Sequence, residues 1–62
     1  MTFKQISKEQ FFSTVGQLDV HPRVLVESFK TPTHVSVWEL KNRAVVGRSE
    51  STNGHHRYFV PA

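Results

Sequence analysis

The sequence predicts an α+β domain in which one N-terminal helix packs on a four-stranded antiparallel β-meander. Three observations carry this. Asn53-Gly54 stands between two strand-like runs, and a two-residue type I′ hairpin needs the positive φ that this pair tolerates best. Residues 23–30, 34–41, 44–52 and 55–60 are rich in β-branched and aromatic side chains and are separated by short turn signals. Upstream of them, Phe11, Phe12, Val15 and Leu18 recur at helical spacing.

The helix is expected over residues 8–16. Ser7, with Gln10 three residues on, reads as a capping box that satisfies free amide donors at the helix start. Gly16 is expected to end the helix in the left-handed conformation. Pro22 bars His21 from helical geometry, so the chain crosses to the sheet before that point. Residues 1–6 contain Phe3 and Ile6 without alternation, a weak signal for a short edge strand.

The turns set the expected register. Closing Asn53-Gly54 as a two-residue loop places Thr52 opposite His55, Glu50 opposite Arg57, Ser49 opposite Tyr58 and Arg48 opposite Phe59. A two-residue loop at Asn42-Arg43 places Leu40 opposite Val45, Trp38 opposite Gly47 and Ser36 opposite Ser49, and a strand glycine gives the indole room. Thr31-Pro32 as a third loop pairs Phe29 with His34, Val26 with Val37 and Leu25 with Trp38.

Strand alternation then sorts the side chains. One face carries Leu25, Phe29, Trp38, Leu40, Val45, Tyr58 and Val60, and the helix is assigned to it. The other carries Val24, Val26, Val35, Val37, Val46 and Phe59, interrupted by Glu39, Arg48, Glu50 and Arg57. One helix covers one face, so the valine face needs a partner protein, a second copy related by a two-fold axis, or curling of the meander toward a small barrel.

Length bounds the stability. A chain of 62 residues makes one domain and buries only ~60% of the surface its unfolded form exposes. Cysteine is absent, which excludes disulfides and thiolate metal sites and fits a reducing, cytoplasmic setting. The first ten residues lack the apolar core of a signal peptide, and no run approaches the ~20 apolar residues of a membrane helix.

Chemistry is sparse. His55 and His56 are adjacent, so on a strand they point to opposite faces, and no second pair of ligands completes a metal site. Ser49 or Ser51 with His56 and Asp19 lacks a strained nucleophile turn and an oxyanion loop. Three scattered glycines make no phosphate-cradling loop. Neither catalysis, a cofactor nor a small-molecule substrate is expected.

Charge is the better lead. The formal net charge is +3, and the excess lies after residue 40, where Lys41, Arg43, Arg48 and Arg57 face only Glu50. With His55, His56 and Tyr58 interleaved, these residues suit a nucleic-acid-binding accessory or regulatory protein, cations meeting phosphate and aromatics meeting bases. The competing expectation is a protein-binding inhibitor or adaptor that uses Val24, Val26, Val35, Val37, Val46 and Phe59, with homodimerisation as the simplest cover for that face. Small proteins of this size and charge are common among phage and plasmid accessory genes, a prior that rests on size alone.

Overall fold

The computed structural model describes residues 2–62, so Met1, included in the weak edge-strand signal, lies outside the described residues. The chain runs β1 (Phe3–Ile6), α1 (Lys8–Thr14), a 3-10 turn (Val15–Gln17), β2 (His21–Ser28), β3 (Thr33–Glu39), β4 (Val45–Thr52) and β5 (His55–Pro61). All neighbouring strands are antiparallel, in the order β1, β5, β4, β3, β2.

Three expectations are corrected at once. The sheet has five strands rather than four, because Phe3–Ile6 pairs with the last strand, Phe3 opposite Pro61 and Ile6 opposite Tyr58. The helix is therefore the second element, inserted between the first strand and the meander. Nor does the sheet close into a barrel: β1 and β2 stand at opposite edges of the order.

Helix α1 begins as its cap dictates. Ser7 Oγ accepts a hydrogen bond from the Gln10 amide at 3.1 Å. Ser13 and Thr14 hydroxyls bond back to the Gln10 carbonyl, the side-chain competition that weakens a helix from within. The last turn tightens to 3-10, with the Leu18 amide donating to the Val15 carbonyl. Gly16 is thus not a left-handed stop; it lies inside the 3-10 turn, where an added Cβ would stand 3.2 Å from Phe12 Cδ1.

Phe11 and Val15, one turn apart, are the buried residues of this segment, whereas Phe12 and Leu18 stay substantially exposed. Phe11 sits over Gly47 of β4 and meets Trp38 with ring centroids 5.5 Å apart and Tyr58 at 5.0 Å. Phe12 completes the cluster edge-on to Tyr58 at 5.4 Å. Such pairs add ~0.5–1.5 kcal/mol each beyond area burial. The helix lies on the Trp38 face, as expected, and the Trp38 indole N–H donates to Ser49 Oγ at 3.1 Å.

The β4–β5 register agrees with expectation from Thr52 opposite His55 through Arg48 opposite Phe59, with positive φ at Asn53 and Gly54, but the pairing stops there and the expected Gly47–Val60 pair is not formed. Between β3 and β4, Trp38 opposes Gly47 as expected, but a bulge follows and Glu39 opposes Val45. The turn there spans residues 41–43, with Arg43 at φ 68° and the Ala44 amide donating to Asn42 Oδ1 at 3.0 Å. The β2–β3 register differs more. Its turn covers residues 29–32, so Val26 opposes Val35, and a bulge at Leu25 places Val24 opposite Ser36.

Candidate nucleic-acid interface

Cross-strand partners share a face, so the register sorts the side chains into rows. On the helix side stand Pro22, Trp38 and Gly47, then Val24, Ser36, Ser49, Tyr58 and Ile6, then Glu27, His34, Ser51 and His56. On the helix-free side stand Arg23, Val37, Arg48, Phe59 and Gln5, then Val26, Val35, Glu50 and Arg57, then Ser28, Thr33, Thr52 and His55. Val24 and Val26, expected together, are on opposite faces because the bulge at Leu25 inverts the alternation between them.

The helix-free side is not the bare valine floor that alternation implied. Val35 and Val37 are only 8% and 6% exposed, although no helix lies over them. They form the centre of the sheet, flanked by Val26, Arg23, Glu50 and Arg48 in their own rows. Long charged side chains in those positions lay their aliphatic stems across apolar neighbours while their heads stay in water. Val46 and Phe59 are half-buried.

The charged heads are organised. Arg23 Nε donates to Glu39 Oε1 at 2.6 Å, with the Glu39 side chain only 14% exposed. Arg48 Nε lies 3.7 Å from Glu50 Oε2, and its guanidinium carbon stands 5.9 Å from the centre of the Phe3 ring, a cation–π contact. Arg57 faces Glu50 across the β4–β5 pair, but among the described residues it makes no ion pair. Arg43 lines, with Arg23 and Glu39, a cleft of about 290 Å3 at the other end of the same face. Four guanidiniums and two carboxylates therefore share this side, and Phe3 and Phe59 lie among them.

The residues expected to bind nucleic acid divide accordingly. Arg48, His55 and Arg57 share the helix-free face, and Arg43 joins them through the cleft. His56 and Tyr58 point the other way, and the Tyr58 ring is taken up by Phe11 and Phe12. Lys41 lies in the 41–43 turn and pairs with Asp19 at 3.5 Å. Arg23 belongs to the cluster and was missed, because its face follows only from the bulged β2 register. Asp19, considered beside Ser51 and His56, lies by His21 and Lys41 instead.

Among the described residues no three His, Asp or Glu side chains converge in a way that holds a metal ion, and no helix is long and apolar enough to cross a membrane. No protein family, curated protein or solved structure matches this chain.

Proposed function

We propose that this protein is a small nucleic-acid-binding module whose contact surface is the helix-free face of the sheet. The observation that carries the reading is the gathering of Arg23, Arg43, Arg48 and Arg57 there, with Phe3 and Phe59 half-buried between them. Guanidiniums match phosphate oxygens bidentately and stack on bases. Glu39 and Glu50 hold two of them in fixed positions and lower the field, which favours a short contact of few phosphates over tight wrapping. The test is fluorescence anisotropy with labelled single-stranded and duplex oligonucleotides at two salt concentrations. Neutralising three to four phosphates of a single strand makes affinity fall about twenty- to fiftyfold between 50 and 200 mM salt. Absence of binding at low salt overturns the proposal.

A second reading, an inhibitor or adaptor that binds protein or a second copy of itself, is favoured by one feature. Val24, Leu25 and Val26 on edge strand β2 are 50%, 46% and 49% exposed, an unusual concentration of apolar surface on an open sheet edge. In this reading the interface is the β2 edge and not the valine face, since Val35 and Val37 are already covered within one chain. Salt separates the two: an apolar interface hardly responds to it.

A further inference from the structure

We infer that the cavity between the β2–β3 and β4–β5 turns is a pocket for one unpaired nucleobase carrying an exocyclic amino group. The inference rests on the nucleic-acid reading and extends it to a second, base-reading site. The two turns meet at one end of the sheet, where the Asn53 amide donates to the Pro32 carbonyl at 2.9 Å. Between them lies a cavity of about 230 Å3, bounded by Phe29, Pro32, Glu27, His34, Ser51 and Gly54.

The occupant follows from the walls. The cavity is smaller than the ~300 Å3 or more of drug-sized sites, so it suits a single flat ring system rather than a whole cofactor. Phe29 is 90% exposed, an aromatic left open to water with no ring of its own chain against it. Bases stack on such side chains irrespective of their identity. Lys30, the next residue, supplies a cation for the adjoining phosphate. Gly54 leaves the rim open, since an added Cβ there would meet nothing within 4 Å. Glu27, His34 and Ser51 stand on the helix side, so a strand held by Arg57 and His55 on the other face reaches the pocket by crossing the β4–β5 turn, where Gly54 presents no side chain.

The polar wall supplies the selection. Glu27, His34 and Ser51 stand in one cross-strand row. His34 Nε2 is engaged by Ser36 Oγ at 3.0 Å, which fixes the ring. The Glu27 carboxylate is acceptor-only, so at the outer edge of the base it takes a hydrogen bond from the exocyclic amino group of cytosine or adenine, the position at which thymine and uracil present a carbonyl oxygen.

The experiment is anisotropy with single-stranded decamers of deoxycytidine, of thymidine and of an abasic backbone, at low salt. The wild type is expected to bind the cytidine decamer best. Phe29→Ala, which removes an exposed side chain and leaves the fold intact, should weaken cytidine binding about tenfold without changing the abasic affinity, and Glu27→Gln should erase the preference over thymidine. Equal binding of all three decamers overturns the pocket while leaving the arginine face standing. Binding of none of them overturns both.

Discussion

Gly47 is the position at which the packing of the helix on the sheet is most sharply exposed to test. A Cβ added there would stand 2.8 Å from Phe11 Cε2, 3.1 Å from Phe11 Cζ and 3.1 Å from Val15 Cγ1. Both neighbours are buried core residues, so neither has a free direction in which to yield. In an unobstructed strand, replacing glycine by alanine stabilises by ~0.4–1 kcal/mol through the unfolded chain. Here overpacking reverses the sign, and Gly47→Ala is expected to destabilise by about 1–3 kcal/mol. For a domain of this size each kcal/mol moves Tm by ~4–8 °C, so the fall should be at least several degrees. Thermal melts followed by circular dichroism give the value. Phe11→Leu in the Gly47→Ala background should cost less than the sum of the two single changes, because the smaller side chain vacates the contact. A Gly47→Ala variant with an unchanged or higher Tm would refute the seating of Phe11 over β4.

Other changes test other parts of the account. Ser7→Ala removes the oxygen that accepts from Gln10 and should lower stability by about 1 kcal/mol, read by urea denaturation; no loss would mean the cap is not formed in water. Gly54→Val forces a β-branched residue to φ 82° and should cost ~1–2 kcal/mol, with a melt at the wild-type temperature counting against the type I′ turn. For the self-association form of the second functional reading, sedimentation at micromolar concentration is expected to give a dimer that Leu25→Lys converts to monomer, and a wild-type monomer removes the homodimer and leaves a different protein as the only partner for that edge.

What was legible in the sequence tracks how local its cause is. The β4–β5 hairpin was readable residue by residue because Asn53-Gly54 fixes turn type, loop length and register together. The β3–β4 pairing was readable in its middle, at Trp38 and Gly47, but not at its turn: nothing in the residues announces that Arg43 takes positive φ and shifts the register beside it. Thr31-Pro32 pointed to a two-residue loop, whereas the turn takes residues 29–32, and the bulge at Leu25 then rotates Val24 and Arg23 to faces that strict alternation denies them. The first strand stayed obscure because its partner is the last strand, a pairing that neither its short pattern nor any nearby turn encodes. The candidate site inherits these limits. Arg48 and Arg57 were placed on one face by the best-defined hairpin, while Arg23 depended on the worst-defined one.

The central claim is that the helix-free face, and not the helix or the β2 edge, meets nucleic acid. Backbone amide chemical shifts followed during titration with a single-stranded oligonucleotide at low salt test it most directly. The account predicts perturbations centred on Arg23, Arg48, Arg57 and Phe59, with residues of Lys8–Thr14 unmoved. Perturbations confined to the helix or to Val24, Leu25 and Val26, or a spectrum that does not change, would contradict it.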